Sequence, residues 1–272
     1  MRIGCCVNMV ALAPDGIGIE RLATLAMAGY DYVELPLAQM MALGKGQFSA
    51  LVDYVASSGI PCEACNNFIP AEYALTGDKT DPVRLADYLD EALERASRLG
   101  AQSIVFGSAG AKNVPPGFPL EKAWEQIVQT LQLIDEKIGN RDIKIAIEPL
   151  CRLESNIVTT AQEGLKLARD VDRKNIRLLI DYYHLCTEKE EQTIIDRAKD
   201  YLQHIHLANP AGRSFPAAGD EVDYRTFIGN LKKAGYDKRV SIEAYTDTFS
   251  ASAAAALAAI RDADRATGDR AP

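Results

Sequence analysis

The sequence predicts a closed parallel α/β barrel, a (β/α)8 fold forming a single domain over residues 1–272. Three observations predict it. Short apolar runs and amphipathic runs alternate eight times along 272 residues, about 34 residues per unit, close to what such a barrel uses. The apolar runs lack the strict alternation of a half-solvated strand, which suits a parallel sheet covered by helices. Four of the later runs each carry a hard metal ligand near the same end: IKIAIE carries Glu148, IRLLID Asp181, HIHLA His206 and RVSIEA Glu243.

Taken in order, Arg2–Val7 is expected as the first strand. Arg2 followed by IGCCVNMVALA loosely imitates an export signal, but its apolar part is short and broken by Asn8, so it reads as a strand. Ile19–Ala28 is expected as a helix ended by Gly29, followed by a strand at Tyr32–Leu35 and a helix near Phe48–Ser57. PCEACN, residues 61–66, is the third strand. The next helix is the best marked. Asp81 suits the N-cap, Pro82 the first turn, and Gly100 the left-handed residue after the end. Between them Leu85, Leu89, Leu93, Ala96 and Leu99 form one stripe at helical spacing.

A strand from Ser103 (SIVFGS) and a helix Leu120–Lys137 come next, then the strand 143–148 and a helix Ala161–Asp170. The strand 176–181 leads to a helix around Glu190–Asp200. The strand 204–208 leads to a helix Tyr224–Ala234, and the strand 239–244 to a helix Phe249–Arg265. Loops 66–80, 107–119 and 207–222 all follow strands, the end at which such barrels build their sites.

Composition narrows the function classes. Hydrophobic residues make up 47% and charged residues 25%, as in a soluble globular protein. A net charge of −8 without a basic run argues against nucleic-acid partners. No apolar run approaches the roughly 18 residues of a membrane helix. GSAGAK lacks the spacing of a phosphate loop. Cys5 and Cys6 are adjacent, and Cys62 and Cys65 are an odd number apart on one strand, so neither pair should converge on one ion. Six reduced thiols then point to the cytoplasm.

A carboxylate at the end of an apolar strand needs a metal, an ion pair or a ligand to compensate it. One such residue alone reads equally well as an ion pair; four at corresponding strand ends point to a shared site. Three carboxylates and one imidazole suit Mn²⁺, Mg²⁺ or Co²⁺ better than a thiolate-rich zinc site. Glu148 and Glu243 across one cation form a candidate acid/base pair for proton transfer at carbon, the cation stabilising the enediolate. His204 shares the parity of His206 one layer deeper and reads as a core histidine. Glu34, at the end of the second strand, reads as a substrate contact or a structural ion pair.

IEPL with Glu148, Glu154 six residues on, DYYH with Asp181 and His184, HIHLANPAGR with His206 and Arg213, and SIEAY with Glu243 occur in series. With DYVELPL at 31–37 and VFGS at 105–108, the chain resembles the sugar isomerase/epimerase group with a xylose-isomerase-like TIM barrel, particularly ketose 3-epimerases of the D-tagatose and D-psicose type. The resemblance implies one divalent metal, Mn²⁺ or Co²⁺, on Glu148, Asp181, His206 and Glu243. It implies that Glu148 and Glu243 exchange the C3 proton of a small-molecule sugar from opposite faces. It further implies that Glu154, His184 and Arg213 hold the O1–O3 end, and that the protein is a homo-dimer or homo-tetramer. Asn66 and Ser108, at strand ends, are candidates for sugar hydroxyls. The aromatic wall of those epimerases has no counterpart in the sequence, because the single tryptophan, Trp124, falls on an expected helix. An aldose–ketose isomerase on the same barrel would want a second metal. An abasic-site endonuclease would want a histidine-rich zinc cluster and a basic face, against which stand three histidines and the charge of −8. A non-catalytic sugar-binding subunit would have little use for two facing carboxylates.

Overall fold

In the computed structural model, which describes residues 1–267, eight parallel strands close on themselves in chain order. They are β1 (Arg2–Cys6), β2 (Tyr32–Pro36), β3 (Cys62–Asn66), β4 (Ser103–Phe106), β5 (Lys144–Ile147), β6 (Ile176–Asp181), β7 (Leu202–Leu207) and β8 (Arg239–Ile242). Pairing of β8 with β1 leaves no open edge. Each expected strand is present, with ends displaced by two residues at most. The expected domain runs on to residue 272, and residues 268–272 lie outside the described part. No helix among the described residues is long and apolar enough to cross a membrane.

The helices form where the local signals put them. In Pro82–Leu99, the Asp81 carboxylate accepts from the Arg84 amide at 3.0 Å, and Gly100 closes the helix at φ 85°. Proline costs nothing in the first turn, where its missing N–H has no intrahelical partner. The expected helix around Glu190–Asp200 shrinks to Ile194–Ala198. A helix that periodicity does not reveal, Tyr182–Thr187, starts directly on β6 instead. At six residues it is too short to show a stripe. Its N-cap is Asp181, whose Oδ1 accepts from the Tyr183 amide at 2.7 Å.

The strands are largely buried on both faces, yet those faces differ. Ile145, Ile147, Leu178, Ile180, Ile205, Leu207, Val240 and Ile242 pack outward into the core shared with the helices. The alternate positions point into the barrel. There Val105, Ala146 and Leu179 make a small separate cluster on the β4–β6 side. The β7, β8 and β2 side is polar instead: Tyr32, Glu34, His204, His206 and Ser241 are all fully buried. Beneath them, at the amino-terminal end, Glu63 is paired by Arg2 and by Arg239, the latter at 2.6 Å. The strand axis thus runs from a plug of ion pairs, through a mixed interior, to open carboxylates at the top.

Candidate active site

Register places the four candidate ligands. Asp181 pairs with His206 across β6 and β7, and His206 pairs with Ser241 on β8, two residues before Glu243. Glu148 and Glu243 follow the last residues of β5 and β8, held by backbone bonds to Phe106 O (3.1 Å) and Leu207 O (3.2 Å). One ligand atom each from Glu148, Asp181, His206 and Glu243 lies within 4.8 Å of the others. His206 Nδ1 stands 3.1 Å from Glu148 Oε1 and 3.3 Å from Glu243 Oε2. All four residues are buried.

Gly107 makes room for this cluster. A Cβ there would lie 2.3 Å from Glu148 Oε2. Arg213 enters from the loop after β7 at φ 50°, its guanidinium 4.9 Å over the Tyr183 ring. It bonds Glu154 (3.2 Å), Asp181 (3.4 Å) and Glu243. The Arg213 carbonyl takes the Tyr245 amide at 2.9 Å, tying that loop to the end of β8.

Charge is unevenly borne. Burial pushes the Asp181 carboxyl up to about 6, Arg213 pulling the other way. Burial also works against the Glu243 charge, but His206 and Arg213 outweigh it and hold that carboxyl at about 2. Against its own burial, His206 is held well above the ordinary imidazole range, chiefly by Glu34. Three carboxylates thus converge on one imidazole nitrogen and one guanidinium, a donor set of hard oxygens and a single nitrogen. That set fits a divalent cation of the Mn²⁺, Mg²⁺ or Co²⁺ kind, which Glu148, Asp181, His206 and Glu243 would hold.

The cluster faces a cavity of about 540 Å³. Glu148, Glu154, Ser108, Arg213 and Glu243 line it, as expected of substrate-facing groups. Ser108 sits at φ 41° with its hydroxyl accepting the Ile69 amide at 3.1 Å. His184 is set back, 3% exposed. Its Nδ1 accepts the Cys151 amide at 3.1 Å, and its Nε2 lies 3.6 Å from Asp181 Oδ2.

Two expected substrate contacts are corrected. Glu34 lies a layer below the cavity, fully buried, with its oxygens taken by His204, His206 and Ser241, so it does not line the cavity. Asn66 is 2% exposed and donates to Asn8 Oδ1 at 2.9 Å, so it supports a cavity residue rather than lining the cavity. His204, bonded to Glu34 at 2.7 Å, is the core histidine its parity indicated. All six cysteines are free.

Sequence reasoning missed Asn8, Gln39 and Asn67, which line the cavity from just beyond β1, β2 and β3. Their position after strand ends was the available signal. It also missed Lys112, 1% exposed, whose Nζ donates to the Glu148 carbonyl at 3.3 Å. Nothing in the local pattern marks that lysine as buried.

A profile of the xylose isomerase-like TIM barrel matches residues 22–264. The chain is 24% identical over 253 residues to a ketose 3-epimerase of Arthrobacter globiformis, a match covering 91% of this chain and 85% of that one. It is 28% identical over 247 residues to a 2-oxo-tetronate isomerase of Pectobacterium atrosepticum, covering 87% and 89%. The fold superposes on the D-psicose 3-epimerase of Clostridium cellulolyticum solved with D-tagatose at a TM-score of 0.84 and 19% identity, over 97% of this chain and 99% of that one. A match that runs from the first helix almost to the end of the last identifies the chain as a member of the xylose isomerase-like TIM barrel family and an enzyme of the isomerase class.

Proposed function

We propose that the protein is a divalent-cation-dependent epimerase that inverts C3 of an uncharged ketose. The observation that carries this reading is the approach of Glu148 and Glu243, from β5 and β8, to the same nitrogen of His206 at the floor of the cavity. As the resemblance implies, the two carboxylates then flank a bound sugar on opposite faces. One carboxylate takes the C3 proton, and the other, entering protonated, gives its own solvent-derived proton to the opposite face, which inverts the centre; both then exchange with water. A divalent cation held by Glu148, Asp181, His206 and Glu243 would supply electrostatic stabilisation of the negative charge that develops on the sugar oxygens. Arg213, gripping Asp181, Glu243 and Glu154, orients the carbonyl end together with Glu154, and His184 backs Asp181.

Charge distribution supports an uncharged substrate. Cavity residues contributed after β1 to β4 (Asn8, Gln39, Asn67, Ser108 and their neighbours) carry no charge. Arg213 is the one cation among the described residues lining the cavity, and three carboxylates already engage it. Beyond the proposed cation, a phosphate or carboxylate would find no free positive side chain among the described residues lining the cavity. We take Mn²⁺ as the resident cation and a homo-oligomer as the assembly on the resemblance, and the cytoplasm as the compartment on the six free thiols.

Turnover of ketohexoses in D₂O tests the reading. Wild type should place deuterium at C3 of both epimers, and Glu243→Gln should abolish the exchange. Undiminished exchange in that variant would sink the assignment. An aldose–ketose isomerase on the same barrel would instead return aldose.

A further inference from the structure

Glu34 is a carboxylate that the proposed chemistry leaves unused. It rises from β2, three strands away around the barrel from β7, and its side chain crosses the interior to reach both histidines of β7. Oε1 meets His206 Nε2 at 3.0 Å; Oε2 meets His204 Nε2 at 2.7 Å and Ser241 Oγ at 2.6 Å. Tyr32 Oη stands 2.8 Å from the same serine hydroxyl. Gly4 leaves space for that phenol ring, since a Cβ there would fall 2.3 Å from it. A carboxylate this deep is tolerated only when donors fill its oxygens. Here three donors do so, two of them ring nitrogens.

A ring nitrogen that binds a cation must present a lone pair, so the imidazole proton has to sit on the other nitrogen. His206 turns Nδ1 towards Glu148 and Glu243, and Nε2 towards Glu34. An ionised carboxylate only accepts, so its partner nitrogen must carry hydrogen. We infer that Glu34 is a positioning residue for the cation site: it holds the proton on His206 Nε2 and fixes the ring plane, which reserves Nδ1 for the cation. Ser241, braced by Tyr32, and His204 hold Glu34 in turn. The inference rests on the cation site of the proposed function and adds what sets its affinity. Glu34 does not line the cavity, so its loss should weaken the cation and spare the contacts to the sugar.

The test compares wild type with the isosteric Glu34→Gln and with Ser241→Ala, which removes one brace of Glu34. Calorimetric titration of chelator-treated protein with Mn²⁺ should show 10–100-fold weaker binding in Glu34→Gln, the range seen when such outer partners of a metal-bound histidine are removed. Ser241→Ala should lose several-fold. At saturating Mn²⁺ the KM for ketose should stay within about twofold of wild type in both. Nitrogen NMR of wild type, with and without Mg²⁺, should find a proton on His206 Nε2 in both states. A bare Nε2 in wild type overturns the inference. So does a folded Glu34→Gln that binds Mn²⁺ as tightly as wild type. If Glu34→Gln does not fold, the wild-type spectrum and Ser241→Ala decide. Wild type that binds no divalent cation would sink the proposed function, and the spectrum would still decide the role of Glu34.

Discussion

The missing side chain at position 107 decides where the Glu148 carboxylate can stand. With a Cβ only 2.3 Å from Oε2, Gly107→Ala must shift the Glu148 carboxylate, whose other oxygen, Oε1, stands 3.1 Å from His206 Nδ1. Displacements of about 1 Å can cost on the order of 100-fold in rate, so kcat should fall by about that factor while circular dichroism stays that of wild type. Lys112 acts on the same residue from behind. Burial pushes its ammonium down to about 8. In the unfolded chain a lysine titrates near 10.4 (about the model-peptide value), so between about pH 8 and 10 the unfolded state binds more protons than the folded one. Stability should therefore rise with pH across that window through this group. Urea unfolding at about pH 7.5 and 9.5 should show wild type gaining on Lys112→Met; a constant difference would contradict the buried charge.

At the scale of elements, the loops after β4 and β5 are laced into one wall. Asn113 Oδ1 takes Ser155 Oγ at 2.8 Å and the Asn156 amide at 3.2 Å, and its Nδ2 donates to the Glu154 carbonyl at 3.3 Å. Asn156 answers with bonds to both backbone groups of Val114. Thr76, from the loop after β3, bonds the carbonyls of Lys112 and Asn113. Each bond contributes about 1 kcal/mol net, but together they fix Glu154 relative to the strand that carries Glu148. Asn113→Ala should raise the ketose KM about tenfold and leave Mn²⁺ affinity unchanged, because only the loop partner of Arg213 is loosened. Equal losses in both, by kinetics and calorimetry, would mean that the wall also supports the cation ligands.

For the whole molecule, three carboxylates gathered at one end of the barrel repel one another in the folded state alone, since the unfolded chain separates them. A cation bound there stabilises the folded state selectively. At Mn²⁺ a hundredfold above its Kd the gain should be about 2.7 kcal/mol, or on the order of 5–10 °C in Tm for a domain of this size. A chelator should reverse it. The shift should vanish in Asp181→Asn, and its persistence there would place the cation elsewhere. The same architecture accounts for the neutral half of the cavity. The charged residues arrive after β5, β7 and β8, whereas Asn8, Gln39, Asn67 and Ser108 arrive after β1 to β4, on the other side of the ring.

Much of this was already determined by the sequence, because it depends on local periodicity and on chain order. Apolar runs such as IRLLID become strands whatever surrounds them. In a parallel barrel every strand ends on the same face, so Glu148, Asp181, His206 and Glu243 were bound to meet. Tertiary structure alone decided depth. Parity tells which face a strand residue takes, but its height follows from register and stagger, and register shifts interrupt β2–β3 at Val33/Glu34 and β6–β7 at Leu178/Leu179. Glu34 therefore ended beneath the cluster rather than in the cavity wall, and Asn66 behind Asn8. Lys112 meets the Glu148 carbonyl and Gly107 the Glu148 side chain, both more than 30 residues away, and no local pattern encodes such a contact.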